Sequence, residues 1–260
     1  MRMDDLDHRL LAGCAVARDA GALARRYFVD RHALVVESKG LQDYVSVADR
    51  EVERLIVETL GRAFPGDGFL GEEGGGIARD CLWVIDPIDG TANFLRGLPA
   101  FGVSIAYLRD GAVEIGIIYD PMTDELFAAR RGAGATRNGE PIRVSATAAL
   151  SEAVIGIGFS YRASVGSFVE TAGRLLSAQC EFRRFGTCVL GMAQVADGRL
   201  DGYWEQHINS WDVLAGLVLV REAGGWTNDF LAGEGLMRGN PILACAPGLR
   251  AELGALTGVG

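Results

Sequence analysis

The stretch WVIDPIDGTANF, residues 83–94, runs an apolar segment straight into two aspartates. The continuous hydrophobicity up to Asp86 marks a buried strand. Pro87 has no N–H to give to a ladder, which predicts that the strand stops there. Asp89 follows across what reads as a tight turn, so that the two carboxylates converge. Gly90 lets backbone come close to a ligand, and Thr91-Ala92-Asn93-Phe94 can open a helix. A helix N-terminus has unpaired N–H groups and the positive end of a dipole, which suits a phosphate. Two acids beside such a cradle repel the anion unless a cation lies between them, and hard oxygen ligands point to Mg2+ rather than zinc. The same string also fits a pair of helix-capping aspartates, so acids elsewhere in the chain decide.

Three further acids stand in conspicuous places. Glu72 lies in FLGEEGGG (69–76), where an apolar strand enters a glycine-rich loop; Glu73 beside it reads as a solvated loop acid. Asp212 lies in INSWDVLAGLVLVREAGG (208–225), at the start of a helix whose run from Val213 to Val220 is apolar, and a carboxylate there needs a capping role or a cation. Asp49 opens another helix, where it also fits a plain N-terminal helix acid.

Around these motifs the hydrophobic periods divide the chain. Leu6, Leu10, Cys14, Ala17, Gly21, Ala24 and Phe28 form the stripe of a long first helix. A second spans Asp49 to Phe64, with Ser46 and Asp49 spaced as a capping box and Pro65-Gly66 ending it. The segment 33–46 between them reads as extended, turning at Gly40. VSIAYLRDGAVEIGIIYD (103–120) reads as a hairpin folded at Arg109-Asp110-Gly111. ELFAARR and PIRVS supply two more strands around the turn Asn138-Gly139. From about residue 150 strands and helices alternate to the end. The expected architecture is therefore an α+β half with an antiparallel sheet (1–150) and an α/β half (151–260), packed as one catalytic unit.

Composition narrows the function classes. With 260 residues, 34 acids against 25 bases and a formal charge of −9, the chain lacks the positive surface that direct nucleic-acid or anionic-membrane binding requires. Five scattered cysteines without a Cys-x-x-Cys pair suggest buried thiols in a reducing compartment. No signal core or membrane span is apparent, and the expected location is cytoplasmic. Only three histidines occur, which weakens a histidine nucleophile, a Ser-His-Asp triad or a His-rich zinc site. A haloacid-dehalogenase-type phosphatase requires D-x-D; here the aspartates are three apart with Pro87 between them, which excludes it.

Glu72-Glu73 after Gly71, WVIDPIDGTANF and WDVLAGLVLVREAGG, in this order, resemble the inositol monophosphatase family of Mg2+-dependent phosphatases. SKGLQDYVSVAD (38–49), GAGATRNGEPIRVS (132–145) and GYWE…NSWD (202–212) extend the resemblance over nearly the whole chain. It implies a five-layered αβαβα sugar-phosphatase fold, usually homodimeric, with roughly two or three Mg2+ ions per active site and inhibition by lithium. Carried over by position, Glu72, Asp86 and the carbonyl of Ile88 hold the first ion, and Asp86, Asp89 and Asp212 the second. Glu72 and Thr91, with Asp49 behind Thr91, orient and deprotonate the attacking water, which reaches phosphorus directly without a phosphoenzyme. The N–H groups of Gly90 and Thr91 hold phosphate oxygens. Glu205 binds sugar hydroxyls, with Asp89 and Cys188 also lining the substrate pocket, and Lys39 falls where the family places a lysine near metal-bound waters. Without the resemblance, Glu205 reads as a strand-end surface acid and Lys39 as a solvated turn lysine.

Departures from the family pattern concern the alcohol pocket. His207 stands where a glycine is common, Asn209 also changes the rim, and Cys188 replaces a smaller alanine. The expected substrate is inositol monophosphate or a similar polyol or sugar phosphate. Fructose 1,6-bisphosphate, histidinol phosphate and 3′-phosphoadenosine 5′-phosphate are alternatives within the same chemistry. DGTANF lacks the Lys-Glu pair typical of the nucleotide 3′-phosphatase branch. A regulatory or scaffolding protein on the same fold is the alternative from another class, although a scaffold has no use for clustered, mutually repelling acids.

Overall fold

The computed structural model describes residues 4–31, 36–40, 43–77 and 79–260. Helix α1 (Asp5–Val29) begins where the Asp4 carboxylate accepts the Asp7 N–H at 2.8 Å, and it buries the stripe from Leu6 to Phe28. Strands β1 (Val36–Gly40) and β2 (Asp43–Ser46) form an antiparallel ribbon, as the extended reading expects. Helix α2 (Val47–Ala63) starts with the expected capping box on Ser46 and Asp49.

Next come β3 (Gly68–Gly71), β4 (Gly75–Ile77), β5 (Cys81–Asp89), α3 (Thr91–Arg96), β6 (Gly102–Arg109), β7 (Ala112–Asp120), β8 (Glu125–Arg130), β9 (Ala135–Arg137) and β10 (Glu140–Pro141). They build an eight-stranded sheet in the order β10-β9-β8-β7-β6-β5-β3-β4. Only the β3–β5 pairing is parallel. The β6–β7 hairpin turns at Asp110 and Gly111, both at positive φ, as the sequence reading places it.

The second half contributes β11 (Val154–Ile157), α4 (Val165–Ser177), β12 (Glu181–Arg183), α5 (Cys188–Ala196), β13 (Gly202–Ile208), α6 (Ser210–Glu222), β14 (Trp226–Thr227), α7 (Gly235–Arg238), β15 (Asn240–Cys245) and α8 (Arg250–Thr257). Its five strands lie in the order β12-β11-β13-β15-β14, the first three mutually parallel and the last two antiparallel to their neighbours. Helices α1 and α2 cover one face of the large sheet, and α5 and α6 lie between the two sheets. Helices α4 and α8 close the outer face of the small sheet. This is the five-layered αβαβα architecture.

The layering explains the continuous apolar run that leads into Asp86. On β5, Trp83 and Ile85 face the α1–α2 core, while Leu82 and Val84 face α5 and α6. A strand covered on both faces has no polar side to alternate with. An ion pair braces the outer layer. The Arg9 guanidinium forks onto Asp67 at 3.0 and 3.1 Å, and Asp67 also accepts the Trp83 indole N–H at 2.9 Å.

Two sequence expectations need correction. Strand β5 does not end at Pro87; it runs on to Asp89, and the pairing with β6 shifts register between Asp86 and Asp89. Pro87 sits in that bulge, where no ladder N–H is required of it. PIRVS is not a strand beyond Pro141: after the Asn138-Gly139 turn, β10 keeps only two residues. The chain then leaves the sheet, and the Val144 N–H donates to Ala223 O at the end of α6 instead.

Candidate active site

Six segments (the loop after β3, β5, α3 with its cap, α5, β13 and α6) converge on one cleft of about 890 Å3, whose lining includes Glu72, Asp89, Gly90, Thr91, Cys188, Glu205 and Asp212. Each arrives by a local rule. Parallel pairing of Gly71 with Ile85, and the Glu72 N–H donating to Ile85 O at 3.2 Å, set Glu72 beside Asp86. The bulge in β5 then brings Asp86 and Asp89 to the same end of the strand. Asp212 joins them from the first turn of α6, where its carboxylate accepts the Asn209 N–H at 3.1 Å. Ligand oxygens of Asp86, Asp89 and Asp212 all lie within 4.8 Å of one another.

Asp86, Asp89 and Asp49 are each held by donors. Asp86, 1% exposed, accepts the Ile88 N–H at 3.0 Å. Asp89 accepts the Thr187 hydroxyl and, at 2.8 Å, the Val189 N–H, so it sits at the N-terminus of α5. Asp49, also 1% exposed, accepts both the N–H and the hydroxyl of Ser46, at 2.8 and 2.7 Å. Its other oxygen lies 3.3 Å from the Thr91 hydroxyl, which is 3.0 Å from Ile88 O. Asp49 is thus more than a plain helix acid: it reaches from α2 to the start of α3. Gly90 precedes that short helix at φ +93°, a conformation L side chains rarely adopt. Asn93 ties the two walls of the cleft together, its amide donating to Ala100 O at 2.8 Å and Phe185 O at 2.7 Å.

Glu205 corrects the surface-acid alternative. It is 7% exposed in the interior of β13, and the Tyr203 hydroxyl donates to it at 2.9 Å. A second bulge follows it, between Glu205 and Ile208, and aims this end of the strand at the cleft. Cys188 begins α5 and is buried. Lys39 lies on β1, and its side chain falls outside the described residues. The sequence reading missed the grip of Thr187 and Val189 on Asp89. It also missed three arginines on the cleft wall, Arg96, Arg162 and Arg184, and the Arg162 guanidinium donates to Asn209 Oδ1 at 2.5 Å.

Electrostatics state what this cluster lacks. Burial first, then Glu72, Asp212 and Asp89, push the Asp86 carboxyl well above its ordinary range. Burial and the Asp212 charge take Asp89 up to about 7. Burial takes Glu205 up to about 8. Asp212 is also raised, chiefly by burial. These acids are oxygen donors in search of positive charge, which fits a divalent cation among Asp86, Asp89 and Asp212.

The shifts have a sign that can be measured. Raised carboxyl groups keep protons in the folded state that the unfolded chain has already released. Stability therefore falls as pH rises from the unfolded values of 3.8 and 4.5 through about 7 and 8. With magnesium chelated, the melting temperature is expected to drop by roughly 5 °C or more between about pH 5 and pH 8. Saturating Mg2+ should flatten that slope, because the cation takes the place of the protons. Thermal scans with and without chelator check this; a flat profile in chelator contradicts it.

Comparison with known proteins agrees with the fold. A profile of the inositol monophosphatase family matches residues 5–256. An inositol-1-monophosphatase of Rhizobium meliloti (strain 1021) is 44% identical over 223 residues, covering 84% of this chain and 81% of that protein. The Nus factor SuhB of Escherichia coli (strain K12) is 39% identical over 236 residues, covering 89% and 88%. The crystal structure of the extragenic suppressor protein suhB from Bartonella henselae superimposes with a TM-score of 0.91 at 38% identity, covering 96% and 98%. The Thermotoga maritima IMPase gives 0.87 at 35% identity, covering 96% and 97%. A match of this extent, on an αβαβα frame with the acids converging as described, means that the chain belongs to the inositol monophosphatase family.

Proposed function

We propose that the protein is a Mg2+-dependent phosphomonoesterase that hydrolyses inositol monophosphate or a similar polyol or sugar phosphate. The observation that carries this reading is the approach of the Asp86, Asp89 and Asp212 oxygens to within 4.8 Å, at the wall of a cleft large enough for a sugar phosphate. In this reading Glu72, Asp86 and the Ile88 carbonyl hold one ion, and Asp86, Asp89 and Asp212 the other. Bound there, magnesium supplies charge neutralisation for the phosphate and a lowered pKa for water.

The remaining work falls to the chain itself. Asp49 fixes the Thr91 hydroxyl, and Thr91 with Glu72 orients the attacking water and takes its proton. The N–H groups of Gly90 and Thr91 hold phosphate oxygens. The new P–O bond forms to water and the ester P–O bond breaks, so the products are an alcohol and inorganic phosphate. Glu205, held by Tyr203, faces the alcohol and reads its hydroxyls, with Asp89 and Cys188 beside it. Residues 1–150 supply most ligands, residues 151–260 supply Glu205 and Asp212, and the two halves work as one unit. Lithium inhibition, a homodimeric state and a cytoplasmic location complete the proposal; no helix among the described residues is long and apolar enough to cross a membrane.

A panel of inositol 1-phosphate, fructose 1,6-bisphosphate, histidinol phosphate and 3′-phosphoadenosine 5′-phosphate, with and without magnesium, tests this directly. The expected result is magnesium-dependent phosphate release with the highest kcat/KM on inositol 1-phosphate. Glu205→Ala is expected to raise KM for that substrate about tenfold with a smaller change in kcat, since it removes binding shared by ground and transition states. The name Nus factor carried by the Escherichia coli relative raises a regulatory reading. Failure of every substrate, together with absence of millimolar Mg2+ binding, would favour it.

A further inference from the structure

We propose that Glu53 is a positioning residue that holds the Glu72 loop against the metal cluster. The inference rests on the reading of Glu72 as a metal ligand. Glu53 lies on α2 one helical turn after Asp49, so both side chains project from the same face. Asp49 reaches Thr91, as described above. Glu53 reaches the two residues that follow Glu72, the other proposed partner of the attacking water: the Glu73 N–H donates to its Oε2 at 2.9 Å and the Gly74 N–H to its Oε1 at 2.7 Å. The carboxylate is buried, 6% exposed, beneath the loop.

The glycines of FLGEEGGG now acquire a reason. A Cβ on Gly74 would lie 2.7 Å from Glu53 Oε1, and one on Gly71 would overlap both carboxylate oxygens. Glycine at 71 and 74 lets the backbone settle onto Glu53 on either side of Glu72. The loop needs such a brace because of where it sits. It joins β3 to the edge strand β4, and an open groove of about 530 Å3 runs beside it, lined by Gly71, Glu73, Gly74 and Gly75 and, from α2, by Glu53 itself. Anchoring the two amides that follow Glu72 fixes the direction in which the Glu72 side chain leaves the backbone. Helix α2 thereby sets Thr91 through one acid and Glu72 through the next, and the geometry of both follows the seating of a single helix.

The test uses Glu53→Gln, Glu53→Ala and, as a control, Asp89→Asn in the full chain, with three readouts. Amide hydrogen exchange of residues 72–76 in metal-free protein reports the brace itself; calorimetric titration with Mg2+ reports affinity; steady-state kinetics on the best substrate separate kcat from KM. Glu53→Ala is expected to speed exchange at Glu73 and Gly74, weaken Mg2+ binding by about tenfold or more, and lower kcat by ~10–100-fold with KM little changed. Glu53→Gln keeps the shape and one acceptor, so it should fall between wild type and Glu53→Ala, and it carries the test if the alanine variant does not fold. Unchanged exchange and Mg2+ affinity in both Glu53 variants, while Asp89→Asn loses metal binding and turnover, overturn the positioning role alone. Retention of Mg2+ binding and turnover by Asp89→Asn would instead overturn the metal reading beneath it.

Discussion

Replacing Asp89 with Asn is expected to lower kcat by about three orders of magnitude at saturating magnesium, on the order of 4 kcal/mol of lost transition-state stabilisation. The side chain keeps its shape, and its amide oxygen can still accept from the Thr187 hydroxyl and the Val189 N–H. What disappears is one negative charge among three converging acids. The same change should act in the opposite direction on the metal-free fold. Burial and the Asp212 charge raise Asp89 up to about 7, so above that pH its ionised form opposes folding. In chelator near pH 8, the variant is therefore expected to melt higher than wild type. Loss of turnover with a gain of metal-free stability marks a residue kept for chemistry at the expense of the fold; wild-type turnover would remove Asp89 from the metal set.

Asp67→Ala should cost a large share of the stability without reaching the cleft. It strips the forked partner from Arg9, whose guanidinium is stacked 4.5 Å from the Phe64 ring and 5.0 Å from Tyr107, and removes the acceptor of the Trp83 indole N–H. Arg9 and Asp67 are each 8% exposed, so the guanidinium, left with the exposed Asp5 carboxylate as its acid partner, has little access to water. A loss of about 3–5 kcal/mol follows, or roughly 10 °C in melting temperature. The double replacement Arg9→Met/Asp67→Leu should recover part of it, because no buried charge is left, while the Trp83 indole N–H still lacks its acceptor. Urea unfolding of the two variants and wild type checks the pair. Equal losses in single and double variants would mean that packing, not the ion pair, sets the cost.

Fold and site were unequally legible in the sequence. Elements with a strong period were readable: the α1 stripe, the Ser46–Asp49 box and the Asp110-Gly111 hairpin all stand where residue spacing puts them. Pro87 misled, because a missing N–H forbids a regular ladder position but not a bulge, and nothing local announces the bulge. Ile142–Ser145 misled for a related reason. Its apolar residues pack against the core between the sheets, but only the Ile142 N–H still reaches a strand, at Ala135 O of β9, and the Val144 N–H turns instead to Ala223 O at the end of α6. The site acids could be named from their motifs, but their supports could not. Thr187 and Val189 reach Asp89 across 98 and 100 residues, and Glu53 meets the Glu72 loop through backbone N–H groups that any residue type supplies. Such contacts leave almost no residue-type signature. Glycine at 71 and 74 is the one trace, and it becomes readable only once the carboxylate beneath it is seen.

In the proposed reaction Asp86, Asp89 and Asp212 share divalent cations. Crystals soaked in Mn2+, which takes the same oxygen ligands as Mg2+ and scatters anomalously, test it most directly. The account predicts an anomalous peak about 2.0–2.3 Å from oxygens of all three carboxylates, and a second peak toward Glu72 and the Ile88 carbonyl. Ordered carboxylates after a soak at saturating Mn2+, with no anomalous peak among them, would overturn this reading.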